Sequence, residues 1–534
     1  MLSTFSSLIK RHSLLIFFVL ALMVVVMLPI AQVTYPAAAI ANSSPAVPPD
    51  FAAIDKFVQA EMEVQHIPGL ALGVVQGDQI VHLKGFGVAD SSGRAVTPQT
   101  PFILFSTTKS FTALAIMQLV EAGKVELDAP VQRYLPWFRV ADPDASARIT
   151  VRHLLNHTSG LPETADNGLL TSTDTSDSAM EQQVRNLSSV NLDRPVGAAF
   201  EYVNANYVTL GLIVQTVSEQ PYETYVQEHI FVPLDMRHSF TAKTEAQQQG
   251  LATGHRYWFG RPVPVDLPYN RSNLPAGGLI SSAEDMAHYL IAQLNEGRYG
   301  QATLLSPKGI AQMHRPAIQR RGDMFYGMGW FVGPANGVPV IWHGGDGTNF
   351  HSTMVLAPDD QWGIILLENT QNNMDFGDRM HQTAFGVISL LEGRQPPVAE
   401  SDNFLRIIFG AILGITGLMV VGIIRSIVVL RRWRVQPERR PRGWWGIVWH
   451  VVLPLVLYLT LGLLFLVGLP QGFFKVSLSI ILLFVPDFGY TLLVSGLVAL
   501  GWGIIRTVWA YFALHRSDIV SPELGGMVSA GEAH

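Results

Sequence analysis

Residues 105–110 read Phe-Ser-Thr-Thr-Lys-Ser, in which a serine is followed three positions later by a lysine. The stretch opens a run with helical spacing, which predicts a helix over residues 106–121 with Gly123 just past its end. Positions i and i+3 lie on one face of a helix, so the ammonium group of Lys109 should lie beside the hydroxyl of Ser106. A lysine with a lowered pKa can accept the proton of a serine and make it nucleophilic. Serine is also a common helix cap, so the stretch alone leaves both interpretations open.

Two further short motifs follow along the chain, at intervals of about 95 and 140 residues. Residues 202–204 read Tyr-Val-Asn, in which the tyrosine can relay a proton and the asparagine can hold a substrate amide. Residues 343–345 read His-Gly-Gly, in which the histidine can donate a hydrogen bond and the glycines allow a substrate to approach closely. Taken alone, residues 202–204 are explained equally well by a packed aromatic residue before a turn. Residues 343–345 are explained equally well by a plain turn at the end of a strand.

Strand patterns occur at both ends of the region between residues 51 and 391, and helices and loops fill its middle. A Gly77-Asp78 turn joins the first two predicted strands, which form a hairpin. Strands from the two ends of one region predict a single antiparallel sheet packed against helices. The predicted strands cover residues 70–75, 80–86, 326–332, 338–342, 350–356 and 362–367.

The three motifs, in this order, resemble those of the serine β-lactamases of class C and their penicillin-binding, esterase and peptidase relatives. The resemblance covers roughly residues 53–390, and its most specific part is Leu-Leu-Asn-His-Thr-Ser-Gly-Leu-Pro at residues 154–162. It implies an α+β fold (an α/β sandwich) of the β-lactamase and D,D-peptidase type, in which helices flank an antiparallel sheet. Further stretches that carry the likeness are residues 68–71, 127–131, 134–136, 200–204 and 277–282.

The resemblance implies a covalent reaction in two steps at Ser106. Ser106 would accept the acyl group of an ester, amide or lactam, and water would then hydrolyse the acyl-enzyme. Lys109 would be the proton partner of the serine, and Tyr202 would be the base or a proton relay. The sequence does not decide which of Lys109 and Tyr202 is the base. The resemblance calls for neither a cofactor nor a metal ion.

The same resemblance implies roles in substrate binding. Asn204 would orient the substrate, and His343 and Gly345 would border it. The oxyanion hole would consist of the backbone N–H groups of Ser106 and Asp346. The β-lactamases proper have a lysine where this chain has His343, and a histidine with an ordinary pKa near ~6.5 is mostly neutral at pH 7. This departure weakens the expected recognition of a substrate carboxylate and favours an esterase or a peptidase.

Three functions therefore stay open. The first is a serine hydrolase that acts on an ester, an amide or a D-amino-acid peptide of the cell wall. The second is a β-lactamase or D,D-peptidase proper, and the third is a non-catalytic ligand-binding or sensor protein. Intact Ser106, Lys109 and Tyr202 argue against the third. His157 is expected to be structural, because the resemblance places its segment beside the site.

The composition excludes several other classes of protein. The 534 residues are 48% hydrophobic and only 15% charged, whereas typical soluble domains are about 25% charged. The chain has no cysteine, which excludes disulfides, thiolate metal sites and a cysteine nucleophile. Its net charge of −6 argues against nucleic-acid binding.

Apolar runs divide the chain into six predicted segments. A basic start followed by an apolar run predicts an export signal or an uncleaved anchor. Uncharged apolar runs at residues 407–424, 446–469 and 488–505 are each long enough to cross a membrane. The shorter run at residues 476–485 could extend the third span, lie at the interface or re-enter the membrane. The segments are residues 1–41 (signal peptide or N-terminal anchor), 42–50 (linker), 51–395 (hydrolase domain), 396–403 (linker), 404–516 (membrane region) and 517–534 (cytoplasmic tail).

Arginine predicts the orientation of these spans. Residues 431–442, between the first two spans, contain six arginines, and short basic loops stay in the cytoplasm. The sequence therefore predicts a multi-pass protein of the cytoplasmic membrane whose residues 51–395 lie outside the cytoplasm. The expected partners are the lipid bilayer and a small-molecule or cell-wall peptide substrate, and protein partners stay open.

Overall fold

An eight-stranded antiparallel sheet lies at the centre of the predicted hydrolase region. The structure is a computed structural model that describes residues 49–372, 379–396 and 404–515. The predicted signal or anchor and the predicted tail lie outside the described residues. The strands are β1 (Gly69–Gln76), β2 (Gln79–Gly87), β3 (Ile318–Arg321), β4 (Met324–Tyr326), β5 (Phe331–Ala335), β6 (Val338–Asp346), β7 (His351–Ala357) and β8 (Trp362–Glu368).

The sheet joins the two ends of this region. The spatial order of its strands is β2-β1-β8-β7-β6-β5-β4-β3, and Leu72 of β1 pairs with Leu366 of β8. Residues 69–75 of β1 are all buried, as expected for a strand in the middle of a sheet that is covered on both faces. The predicted antiparallel sheet built from N- and C-terminal parts is therefore confirmed.

Helices complete the layers around the sheet. The main helices of this region are α1 (Phe51–Gln65), α2 (Thr108–Glu121), α3 (Asn167–Thr171), α4 (Asn204–Ser218), α5 (Ala283–Leu294), α6 (Arg379–Leu391) and α7 (Leu478–Phe484). Shorter helices of this region span Pro143–Arg148, Val151–Leu155, Ala179–Asn186, Tyr222–Val226, Lys243–Gln248, Leu274–Gly277 and Pro307–His314. Short strands lie at Phe102–Ile103, His255–Trp258, Arg261–Pro264, Ile280–Ser281, Arg298–Tyr299, Ala302–Thr303 and Thr370–Gln371.

The two faces of the sheet bury different sets of side chains. Leu72 and Val74 of β1 pack in one core together with α1 and α6. Ala71 and Val75 of the same strand pack in the other core, which contains α2, α4 and α5. This follows from the two-residue period of a strand, which sends successive side chains to opposite faces. The α+β sandwich is therefore confirmed.

The predicted strand at residues 326–332 is wrong in one respect, because the structure forms two strands there. β4 ends at Tyr326 and β5 begins at Phe331, and these two residues pair with each other across a turn. Gly329 in the turn has φ +83°, a left-handed conformation that glycine adopts without strain. A Cβ atom on Gly329 would lie 2.9 Å from the Cα atom of Ser110, so the turn fits closely against the start of α2.

The helix predicted over residues 106–121 also begins differently. Residues Phe105–Thr107 form a 3₁₀ turn, and the α-helix α2 starts at Thr108. Ser106 therefore lies in a tight turn that leads into the helix.

The described chain divides into two compact units. The first, here called the sheet unit, extends to Ile407 and also includes Val476–Gly489, and the second, here called the helix unit, comprises Ile408–Lys475 and the residues from Tyr490 onwards. Three helices are long and apolar enough to cross a membrane: Leu405–Val435, Gly443–Phe473 and Pro486–His515. Each predicted span falls within one of them.

The short apolar run at residues 476–485 has a structure of its own. Seven of its residues form α7, and the oxygen of the Ser477 side chain accepts a hydrogen bond from the N–H of Ile480 at the start of that helix. The third long helix begins afterwards, at Pro486. The run does not extend the third span, and it belongs to the sheet unit.

Candidate active site

Ser106 lies on a backbone turn that the neighbouring strand fixes in place. The preceding residue, Phe105, has φ +47°, an uncommon conformation for a residue with a side chain. Its ring packs against Gly347, where a Cβ atom would lie only 1.8 Å from the ring. Thr107 and Thr108 are buried, whereas Ser106 stays partly exposed. The turn thus presents the Ser106 hydroxyl to the solvent side.

The amine of Lys109 is buried and has three hydrogen-bond partners. Its Nζ atom lies 3.0 Å from Ser106 Oγ, 2.7 Å from Asn204 Oδ1 and 2.7 Å from the carbonyl oxygen of Ala276. The two carbonyl oxygens can only accept hydrogen bonds, so they take two N–H groups of the lysine. The Ser106 hydroxyl can donate, and it faces the position where a neutral amine has its lone pair.

Burial lowers the pKa of Lys109 to about 7, and the charge of Asp166 opposes this shift only in part. An ammonium group without full compensation is costly to bury, which favours the neutral amine. Lys109 therefore changes its protonation state close to neutral pH.

Asn204 links Lys109 to Asp166 at the beginning of α4. Its Oδ1 atom accepts a hydrogen bond from Lys109, and its Nδ2 atom donates to Asp166 Oδ2 at 2.9 Å. The Asp166 carboxylate also accepts from the backbone N–H groups of Asn204 and Ala205, at 2.7 and 3.0 Å. Burial raises the pKa of Asp166 to about 6 although these hydrogen bonds oppose the rise. Asp166 thus holds the N-terminus of α4 and fixes the amide of Asn204.

Tyr202 keeps its proton in this environment. Its ring centroid lies 4.8 Å from Lys109 Nζ, and its ring stacks on that of His157. Burial raises the pKa of Tyr202 well above its ordinary value, although the neighbouring Ser106 hydroxyl acts in the opposite direction. The arrangement favours a phenol that donates or relays a proton over one that is ionised beforehand.

His343 is buried and neutral. Burial and the neighbouring Lys109 lower the pKa of His343 to about 3. Its Nδ1 atom lies 2.7 Å from the carbonyl oxygen of Gly344, which can only accept, so the ring proton is on Nδ1. Nε2 is then an acceptor, and it lies 3.2 Å from the hydroxyl of Tyr326. The third motif therefore carries no fixed positive charge at this position.

Gly345 and Asp346 occupy the end of β6 beside the nucleophile turn. A Cβ atom on Gly345 would lie 2.0 Å from the carbonyl oxygen of Leu104, so this glycine allows the strand to approach the chain just before Ser106. The sequence predicts that a substrate approaches Gly345 closely, whereas in the structure the protein's own backbone at Leu104 makes the close approach. Asp346 is the last residue of β6, and its N–H group remains the predicted second member of the oxyanion hole.

His157 has the structural surroundings that the sequence predicts. It is fully buried, and its Nδ1 atom accepts hydrogen bonds from the N–H of Val203 at 3.2 Å and from Asn206 Nδ2 at 3.1 Å. Its ring stacks on Tyr202 with a centroid separation of 4.4 Å. His157 therefore positions the segment that carries Tyr202 and Asn204.

The region that contains this site is similar to known proteins. A family model described as β-lactamase matches residues 54–386, more than half of the chain. The chain belongs to the β-lactamase family.

Among the relatives of this β-lactamase-family protein, Protein flp of Staphylococcus aureus (strain MW2) is 30% identical over 321 residues, which are 59% of this chain and 62% of that protein. Penicillin-binding protein 4 of Amycolatopsis lactamdurans is 30% identical over 317 residues, which are 57% of this chain and 81% of that protein. The chain thus spans about three fifths of the length of the Flp proteins that it matches. The octameric penicillin-binding protein homologue from Pyrococcus abyssi is a similar solved structure, with a TM-score of 0.58, 29% identity and coverage of 67% of this chain and 80% of that one.

Sequence reasoning missed two residues of the site in this β-lactamase-family protein. Asp166 ends the 3₁₀ turn Glu163–Asp166, 38 residues before Asn204, and no local pattern connects it to the start of α4. Tyr326 ends a strand, where an aromatic residue is ordinary, and only the register of the sheet brings its hydroxyl to His343. Both residues act through contacts between distant parts of the chain.

Two groups of side chains in the described part of this β-lactamase-family protein each bring three possible metal ligands within 4.8 Å of one another. In the group of Asp346, His351 and His381, the Nε2 atom of Gln371 also donates a hydrogen bond to Asp346 Oδ1 at 2.9 Å. The hydroxyl of Thr353 lies 2.8 Å from Nε2 of His351 and 2.8 Å from Nδ1 of His381. The groups are Asp346 with His351 and His381, and His238 with Glu284 and Asp285.

Proposed function

We propose that the chain is a membrane-anchored serine hydrolase that forms an acyl-enzyme at Ser106 outside the cytoplasm. The observation that carries the proposal is the environment of Lys109. Two carbonyl oxygens accept its hydrogen bonds, Ser106 is its third partner at 3.0 Å, and burial lowers its pKa to about 7. These are the requirements for a neutral amine that activates a serine.

The proposed reaction has two steps. Ser106 Oγ attacks the carbonyl carbon of the substrate while its proton passes to the neutral amine of Lys109. The backbone N–H groups of Ser106 and Asp346 stabilise the negative charge on the carbonyl oxygen. The bond to the leaving group then breaks, and the leaving group takes a proton from Tyr202 or Lys109. Water hydrolyses the resulting ester of Ser106, and the acyl group leaves as a carboxylic acid.

Lys109 is the better candidate for the base. A base must be deprotonated before it acts, and the pKa of Lys109 is about 7, whereas burial raises the pKa of Tyr202 well above its ordinary value. A protonated phenol beside Lys109 suits a relay that returns the proton to the leaving group. We assign the base to Lys109 and the relay to Tyr202.

The proposed substrates are esters, amides or D-amino-acid peptides without a required carboxylate beside the reacting carbonyl. The neutral His343, whose pKa is about 3, offers no charge for such a carboxylate, and its one N–H group is already donated to the carbonyl oxygen of Gly344. This favours an esterase or a peptidase over a β-lactamase within the same family.

Reaction of the full chain with a chromogenic short-chain ester tests the function. We expect hydrolysis and, on rapid acid quenching, an acyl adduct on the peptide that contains Ser106, detected by mass spectrometry. A chromogenic cephalosporin tested in parallel should turn over at least about 100-fold more slowly, the difference that a missing buried charge partner makes. An adduct on another residue, or faster lactam hydrolysis, would contradict the proposal.

The pH profile tests the link between Asp166 and Lys109. Protonated Lys109 cannot act as a base, so kcat/KM for the ester should fall as the pH drops below about 7. The charge of Asp166 raises the pKa of Lys109. Asp166→Asn should therefore lower the pH at which kcat/KM begins to fall, here called the acid limb of the profile. Glu163→Gln removes a carboxylate from the same loop and should leave the limb in place. An acid limb that does not move in Asp166→Asn would show that Asp166 does not act on Lys109.

Cysteine labelling tests the proposed orientation, because the chain contains no cysteine of its own. Ser188 and Arg439 are both exposed, and they lie in the hydrolase region and in the arginine-rich loop. In intact spheroplasts, a membrane-impermeant maleimide should label the Ser188→Cys variant of the full chain. The Arg439→Cys variant should react only after the membrane is permeabilised. Labelling of Arg439→Cys in intact spheroplasts would overturn the orientation.

A further inference from the structure

A pocket of about 380 Å³ lies next to the nucleophile turn within the sheet unit. Phe105, which precedes Ser106, lines it together with Gly277 and Gly278. Gly277 also adjoins Ala276, whose carbonyl oxygen accepts a hydrogen bond from Lys109. The volume is within the range of about 300–1,000 Å³ that is usual for small-molecule sites. The pocket is thus placed to hold the part of a substrate next to its reacting carbonyl.

α7 supplies another part of the pocket lining. Leu482, Leu483 and Phe484 border the pocket from this helix, and all three are partly exposed. Leu170 of α3 adds a further apolar side chain, and α7 packs against α3. A run of three consecutive apolar residues facing a cavity favours an apolar occupant.

Specific contacts hold α7 in this position. Ile480 and Ile481 are buried, at 8% and 6% exposure. Arg256 Nη1 donates a hydrogen bond to the carbonyl oxygen of Leu483 at 3.2 Å. The backbone N–H of Phe259 donates to Asp487 Oδ2 at 2.8 Å, just beyond the end of the helix. The segment is therefore fixed at both its middle and its end.

The position of α7 in the chain suggests the nature of the occupant. Residues 476–485 join two helices that are long and apolar enough to cross a membrane. A segment tethered in this way stays close to a bilayer if those helices span it, and molecules with aliphatic chains concentrate there. The apolar side of the pocket that α7 forms suits such molecules.

We propose that this pocket binds an aliphatic chain of the substrate, so that α7 makes the enzyme selective for amphiphilic esters or amides. The proposal rests on the proposed function and names its substrate class. The reacting carbonyl lies at Ser106, and the chain packs against Leu482, Leu483 and Phe484. α7 then acts as a specificity element that lies more than 350 residues after the nucleophile in the sequence.

Paired substrates test the proposal on the full chain in lipid nanodiscs. para-Nitrophenyl decanoate carries the aliphatic chain on the acyl side, decyl acetate carries it on the alcohol side, and para-nitrophenyl acetate carries none. In the Leu482→Ala/Leu483→Ala variant, we expect kcat/KM for at least one long-chain ester to fall about tenfold, the usual effect of lost apolar contacts in a pocket. The rate with para-nitrophenyl acetate should stay within about twofold, which also shows that the variant is folded.

Two further variants sharpen the test. Leu478→Ala makes the same change on the same helix at a residue that does not border the pocket, and it should leave the ratio of long-chain to short-chain rates unchanged. Leu482→Trp should fill the pocket and lower the long-chain rate while the short-chain rate is kept.

The outcomes separate this proposal from the proposed function. Hydrolysis of the acetate through Ser106 with equal effects on all three esters would overturn the role of the pocket and leave the hydrolase intact. Absence of any reaction at Ser106 in the unaltered chain would overturn both.

Discussion

Ser106→Ala is expected to lower ester hydrolysis by the full chain by about 10⁴-fold or more, the range found when the nucleophile of a covalent hydrolase is removed. The variant keeps the pocket and the partners of Lys109 at Asn204 and Ala276 but has no oxygen that can accept the acyl group. The measurement is kcat/KM for a chromogenic ester, together with the loss of the acyl adduct in the mass spectrum. Substrate binding should survive, because the change removes a single oxygen atom.

Ser188→Ala provides the matched control, since it makes the same change at an exposed serine elsewhere in the hydrolase region. It should hydrolyse the ester at the unaltered rate. Equal activity in Ser106→Ala and the unaltered chain would show that Ser106 is not the nucleophile. Tight binding of a substrate without any turnover by the unaltered chain would instead favour a ligand-binding protein.

Lys109→Ala is expected to slow acylation by about 100-fold or more, within the 10²–10⁴ range for loss of a general base. Removal of the amine leaves the Ser106 hydroxyl with no acceptor for its proton at 3.0 Å. It also leaves the side-chain oxygen of Asn204 and the buried carbonyl oxygen of Ala276 without their donor. Single-turnover acylation measures the chemical step apart from the hydrolysis that follows.

Lys109→Met separates catalysis from folding in this experiment. Methionine fills most of the space of the lysine but offers no proton acceptor of comparable strength, so acylation should stay slow in a folded protein. Lys124→Ala removes an exposed lysine just beyond the end of α2 and should have no effect. Unchanged acylation in Lys109→Met would exclude Lys109 as the base.

The sheet could be predicted from the sequence because its strands carry a strong local signal. Residues 69–75 of β1 and 362–367 of β8 are apolar and buried. The first hairpin could be predicted from the 77–78 turn and the apolar residues that follow it. The division of residues 326–332 into two strands was missed. The pattern of apolar residues continues across it, and the turn depends on the close fit of Gly329 against Ser110.

Some properties of the site could be predicted from neighbouring residues in the sequence, and others depend on residues that are distant in the chain. The spacing of Ser106 and Lys109 within one turn is a local property, and the structure brings their side chains to 3.0 Å. The protonation state of Lys109 is not local, because it depends on its burial and on Asp166, whose position follows from the loop before α3. The uncertain run at residues 476–485 has the composition of a membrane segment, and only its contacts with the sheet unit reveal where it packs.

The inclusion of residues 476–489 in the sheet unit has a consequence for biosynthesis. The ribosome makes all eight strands of the sheet before it makes α7, and two long apolar helices come between them in the chain. At about 5–20 residues per second, the sheet has several seconds to fold while the part of the pocket lining that α7 supplies has not yet been synthesised. The newborn protein therefore passes through a stage in which the nucleophile turn can already be folded but the pocket beside it is open. A nascent chain stalled before residue 476 would isolate that stage.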